Sequence, residues 1–318
     1  DECETLLNGQ KSTDSTDSTD RGAIWLASIE QNNLIEAASR PAFAKTTVGG
    51  DPLGVVGAMF QRTPLALALM PGSPIRRLDE LTDSAIGVHV DTIDILRAAL
   101  PEESTSNNKL VEIARQDDDG LGSILKLYRG EVDAAQVYTT TELSTLRDMC
   151  HGQDPVTISL CASDRNSGSK VDLGYAQVMF GLESHLTTNS DVVDRFTRAL
   201  YEGWTMALHD PMRAGSCIAN MECGDGVTDL AFFGALGRDP VVHAAVTARC
   251  APFVNSNNKI DHARWESVSQ GMHLLGYATP ASTEISTDKS TDIPTDQSGV
   301  TILAPDTDTD TDTDTDTD

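Results

Sequence analysis

From residue 86 to residue 160 short apolar runs alternate with helical stretches, and this period constrains the fold more than any other feature of the chain. Residues 86–90, 110–114, 132–138 and 156–160 have the composition of buried strands. Between them, residues 92–100, 121–129 and 142–149 carry apolar side chains at helical spacing, the first stopped by Pro101 and the second by Gly130. Strands linked through helices are βαβ crossovers, which require a mostly parallel sheet with helices on both faces. The unit they form is too small to be the whole fold, so its flanks need a sheet of their own.

Two apolar runs precede this unit, at 54–60 and 64–70, and both suit buried strands. Pro71-Gly72-Ser73-Pro74 is a turn cluster, and residues 75–81 after it predict a short amphipathic helix. Residues 21–48 mix a helical pattern with a break at Pro41 and predict one or two helices. After a polar loop at 163–170 comes a strand-like run, 173–180. The longest helical pattern follows it: Asn189, Ser190 and Asp191 supply a start, and Val192, Val193, Phe196, Ala199, Leu200, Trp204, Ala207 and Leu208 repeat at helical spacing up to Asp210-Pro211. Further helices are predicted near 214–221, 230–236, 241–248 and 263–275, and Trp25, Trp204 and Trp265 read as packing residues.

The ends have another character. Residues 12–20 repeat Ser-Thr-Asp, residues 282–298 are rich in Ser, Thr and Asp, and Thr-Asp alternates from 306 to 318, so residues 1–20 and 279–318 are expected to be disordered. Residues 1–20 and 281–318 hold 17 Asp or Glu against 2 Lys and thus −15 of the net charge of −26. With no cluster of Lys and Arg elsewhere, nucleic acid is excluded as a partner and an anionic membrane surface is disfavoured. No apolar run approaches the ~18 residues of a membrane span. The first residue is Asp1, and no basic and apolar leader follows it, so a fragment or a processed form that has lost a signal peptide is expected. The six cysteines show no CxxC, and neither they nor the seven histidines have the spacing of a metal site. GxSxG, HExxH, P-loop and GxGxxG motifs are missing, so neither a catalytic set nor a cofactor is expected.

Four stretches carry a family resemblance: GAMFQRT at 57–63; SPIRRLDEL at 73–81 leading into IGVHV at 86–90; LYRGEVDAAQ at 127–136; and VVDRF at 192–196 continuing to HDP at 209–211. Over residues 54–277 the chain resembles the substrate-binding proteins of ABC importers for thiamine precursors and sulfonates, a superfamily that also holds the fungal enzymes making the thiamine pyrimidine. The resemblance implies an α/β fold of the type II periplasmic-binding-protein kind. Residues 21–72 with 172–278 would form one lobe and residues 73–171 the other, each a mostly parallel sheet flanked by helices. It implies capture of a small organic molecule between the lobes, delivery to a transporter membrane subunit, and a periplasmic or extracellular location. The family's first strand and helix find no convincing counterpart before Gly54. The cysteine-rich iron motif of the pyrimidine synthases is replaced by LGYAQVMF at 173–180, which argues against that activity. The alternatives are an enzyme related to those synthases, with Lys45 or a histidine acting on a cofactor, and an orphan binding protein that no longer serves transport.

In open α/β sheets ligands sit beyond the C-terminal ends of the parallel strands. That rule selects His89, Asp91 and Thr92, then Gln116, Asp117 and Asp118, then Tyr138, Thr139, Thr140 and Glu142. Each has a structural alternative: Asp91 and Thr92 as helix caps, and Thr139 with Glu142 as a capping box. The resemblance adds weight to Glu142, whose position in relatives is acidic and able to face an amine, while Tyr138 could stack on a flat ring. Asp133 reads as a residue that fixes the strand-to-helix geometry. Gln61 and Arg62 lie where they could reach the cleft or sit on the surface, and Tyr175, with Gln177, lies near the second crossover as a ligand contact or a core residue.

Overall fold

The computed structural model describes residues 26–39, 51–90, 92–100, 107–114, 121–161, 168–169, 171–221, 236–254, 259–276 and 300–303. Its chain divides into two compact units, one of residues 1–61, 174–201 and 255–318, the other of Arg62–Leu173 and Glu202–Val254. Among the described residues each has one sheet, and the α/β class expected from the alternation holds.

The first unit is built on a sheet of order β1-β8-β2-β9, with β1 at Ala27–Ile29, β2 at Leu53–Phe60, β8 at Ala176–Leu182 and β9 at Val300–Ile302. β8 runs antiparallel to both β1 and β2, and β9 is parallel to β2, so this sheet is mixed where a mostly parallel one was expected. Helix α1 (Gln31–Ser39) packs Leu34 and Ala37 into a core with Val55, Val178, Phe180 and the fully buried Trp265 of α9 (His262–Leu274). Two expectations are corrected here. A strand and helix do precede Gly54: the strand is only three residues long, too short for its alternation to stand out. Val300–Ile302, assigned to the tail, is an edge strand: three β-branched residues in a row favour pairing with Leu53–Val55.

The second unit carries the sheet β5-β4-β6-β3-β7: β3 Leu65–Leu69, β4 Ala85–His89, β5 Lys109–Ile113, β6 Ala134–Tyr138 and β7 Val156–Ser159. β4 is parallel to β5 and to β6, as βαβ units demand, through α2 (Ile93–Ala99) and α3 (Gly122–Tyr128). Helix α4 (Glu142–Met149) follows β6. β3 was expected in the other lobe; it lies instead between β6 and β7, antiparallel to both. All five of its residues are buried, and only the interior of a sheet covered on both faces satisfies such a run. Residues 75–81 form no helix but a 3-10 turn at Leu78–Glu80.

Residues 202–254, also expected with the first lobe, belong to the second unit. They hold the end of α6 (Ser190–His209, after α5 at Glu183–Thr188), α7 (Pro211–Ala219) and α8 (Pro240–Cys250). The Asp210 and Asp239 side chains cap α7 and α8, each just ahead of a proline at the first helical position. Gly215 lets the two helices touch: a Cβ there would stand 2.2 Å from the Pro240 carbonyl oxygen. The predicted helix near 230–236 lies almost wholly outside the described residues.

Candidate functional site

β4 and β6 lie side by side and in parallel, so their C-terminal ends open on the same edge of the sheet. Three side chains there are almost wholly buried: His89 is 6% exposed, Thr92 2% and Gln136 1%. Gln136 pairs with Leu67 across the sheet, and alternation along β6 sets it and Ala134 on one face and Ala135 and Val137 on the other. Its amide oxygen accepts the Thr92 hydroxyl at 2.6 Å and the His89 N–H at 3.3 Å. A main-chain N–H is always a donor, so the oxygen must face it and the amide orientation is fixed. The Gln136 Nε2, with two protons to donate, has no partner. A buried donor left unmatched costs about 1–3 kcal/mol.

The selected residues near this edge behave as follows. Thr92 stands at the start of α2 but does not cap it; its hydroxyl turns inward, toward Gln136 and the His89 carbonyl. The Thr139–Glu142 capping box does not form, because the cap position falls two residues later, at Thr141, and Glu142 is the first residue of α4. The Glu142 carboxylate reaches back to the end of β6, accepting the Tyr138 N–H at 3.0 Å and the Thr141 hydroxyl at 2.5 Å, both on Oε2. Thr139 donates to the Pro64 carbonyl and ties β6 to the start of β3. The buried Thr140 accepts from Arg249 of α8 at 2.9 Å, and burial pulls that guanidinium below its usual pKa range. Tyr138 is half-buried at the strand end. Asp91, Gln116, Asp117 and Asp118 lie outside the described residues, as does Lys45.

The remaining candidates are elsewhere. Arg62 is exposed, its guanidinium 5.3 Å from the centre of the Phe253 ring. Gln61 is half-buried and donates to the Lys259 carbonyl at 3.4 Å. Tyr175 is a core residue, 1% exposed, whose hydroxyl accepts from the Asp261 N–H at 2.9 Å and whose ring lies 6.3 Å from that of Trp265. Burial, ahead of that hydrogen bond, raises its pKa. Gln177 is exposed, and Asp133 holds the Ala85 N–H at 2.7 Å at the opposite end of β6. Gln136 was not selected from sequence, although its signal was present: a lone amide in the apolar run Ala134-Ala135-Gln136-Val137. Among the described residues no group of three or more His, Cys, Asp or Glu could hold a metal ion, and no helix is long and apolar enough to cross a membrane.

The fold is shared with a periplasmic binding protein. The chain is similar to the periplasmic aliphatic sulphonate binding protein SsuA of Escherichia coli, at 14% identity and a TM-score of 0.55, over 87% of this chain and 79% of that one. The NMT1/THI5-like family model matches residues 5–214, and the chain belongs to that family. Other similar structures are the alkanesulfonate-binding protein SsuA of Xanthomonas axonopodis pv. citri, bound to MOPS (13% identity, TM-score 0.48, 86% of this chain and 77% of that). The desulfurization enzyme DSZB is similar too (14%, 0.48, 87% and 85%). No curated protein matches the chain.

Proposed function

We propose that the chain is a solute-binding protein that captures a small nitrogenous heteroaromatic compound, such as a thiamine pyrimidine precursor, and hands it to an ABC-type transporter outside the cytoplasm. The observation that carries this reading is the unmatched Nε2 of Gln136, buried and fixed in orientation at the C-terminal edge of β4 and β6. A ring nitrogen is an acceptor for it. Glu142, with both of its bonds on Oε2, offers its other oxygen to an exocyclic amine, and Tyr138 offers a ring face. An aminopyrimidine joins an acceptor to an amine donor in one flat ring. A sulfonate would satisfy Gln136 but meet the Glu142 charge, so it is the second candidate; the similarity to the aliphatic sulphonate binding protein of Escherichia coli keeps it on the panel.

Titration calorimetry with aminopyrimidine precursors and with aliphatic sulfonates tests the reading. Aminopyrimidines are expected to bind, with affinity falling at least tenfold in Gln136→Met and in Glu142→Gln. Heat from sulfonates alone, with Glu142→Gln binding them more tightly, would replace the ligand class. Silence from both panels, or full affinity in Gln136→Met, would overturn the site.

A further inference from the structure

Helix α6 buries one face through Val193, Thr197 and Tyr201 and turns another to solvent. On that second face Val192 is 40% exposed, Phe196 49% and Met206 62%, with Ala199 and Gly203 exposed between them. Successive members of this line are four, three, four and three residues apart, the period of a seam along which one helix meets another. At about 100° per residue they fall within an arc of roughly 80°, so helix geometry alone aligns them. Single exposed apolar side chains are ordinary, but a line of them at this period marks a contact surface.

The line is complementary to its own reverse. With a second α6 laid against it in antiparallel sense and a two-fold axis at Ala199, Phe196 of each copy stands opposite Gly203 of the other, and Val192 opposite Met206. The largest side chain thus faces the residue that has none. Among the described residues, a Cβ on Gly203 would meet no atom within 4 Å, so there is room for the ring. Beside Val192 lies a cavity of about 260 Å³ lined by Leu26, Val192, Val193 and Phe196. Met206 of the second copy arrives next to it, and a flexible thioether chain suits an irregular apolar gap. Arg195 and Glu202 flank the line on the side away from the buried face, both exposed, and the same axis sets Arg195 of each copy against Glu202 of the other. A parallel pairing would oppose Phe196 to Phe196 and Gly203 to Gly203, and the fit would be lost.

We propose that two copies of this chain associate through α6, as an antiparallel helix pair about a two-fold axis at Ala199. A self-complementary patch on a two-fold axis is the commonest way in which identical chains close into a dimer. One helix pair is a small contact, under about 1,200 Å², so the dimer exchanges with monomer. The net charge of −26 opposes it further at low salt. The proposal goes beyond the ligand reading and stands whatever the chain binds.

Sedimentation velocity of the full chain tests it, at about 0.15 M salt, where charges more than ~8 Å apart are largely screened. Over a protein concentration range of about 1 µM to about 200 µM the sedimentation coefficient should rise from that of a monomer toward that of a dimer. Gly203→Leu fills the open side and replaces a poor helix former with a good one, so this variant should melt at a higher temperature yet associate at least tenfold more weakly. Arg195→Glu should weaken association about fivefold by opposing Glu202 of the second copy, and adding Glu202→Arg should restore it. Monomer at every concentration, undiminished association in Gly203→Leu, or no recovery in the double exchange would overturn the proposal. The first outcome would leave this face of α6 to another segment of the chain or to a different protein.

Discussion

Burying a glutamine in a sheet lined by leucines is unfavourable unless its amide is used, and Gln136 uses half of it within the chain. Gln136→Met removes both the acceptor of the His89 N–H and the unmatched Nε2, effects of about 1–3 kcal/mol each that oppose one another, so the urea midpoint should move little. Cys250 on α8 is 5% exposed, and burial pushes its thiol from about 9 to about 11. The folded state holds that proton more tightly than the unfolded chain. The associated stability is fully present below pH 9 and is lost as pH rises through about 11. Unfolding free energy should therefore fall by on the order of 2 kcal/mol across that window, and Cys250→Ala should flatten the fall. Thr92 and Glu142 lie just beyond strand ends, where the alternation of strands and helices puts them, but what they bond to was not legible. Capping and inward bonding draw on the same side chains, and only the neighbouring strand decides between them.

Helix α6 shows how far periodicity reaches. Its pattern predicted an apolar face through Val192, Val193, Phe196, Ala199, Leu200, Trp204, Ala207 and Leu208; of these Val193 is buried, together with Thr197 and Tyr201, while Phe196 is 49% exposed. The helix exists and has the predicted period; its rotation is set by Tyr201 entering a core with Val56, Met179 and Leu186. Phe196→Ser should thus change stability by less than about 0.5 kcal/mol, whereas Tyr201→Ala should cost about 3–5 kcal/mol, both read from denaturant midpoints. The α7–α8 pair depends on backbone contact at Gly215, so Gly215→Val should push the helices apart and cost about 1–3 kcal/mol or more, seen as a lower Tm. Asp210-Pro211 reads in sequence as the end of α6, whereas Asp210 and Asp239 in fact cap the starts of α7 and α8. The glycine contact was not legible, since nothing local reveals which helix lies opposite.

The division of the chain follows from the same distinction. The run 86–138 declared its parallel pairing, because strands separated by helices must cross over, and β4, β5 and β6 pair in that way. Local pattern could not show that β3 joins β6 and β7, that residues 202–254 join the second unit, or that Val300–Ile302 closes the edge of the first sheet. The sequence by itself determined the α/β class, the strands and helices of the middle region, the family, and the strand ends where polar residues collect. These depend on periods of two and 3.6 residues and on short-range turn chemistry. The tertiary structure alone decided which sheet takes each strand, which face of α6 is buried, and that Gln136 turns one half of its amide to Thr92 and leaves the other half unmatched. Those outcomes depend on contacts between residues far apart in the chain, where many partners have suitable composition and only the packed arrangement selects one.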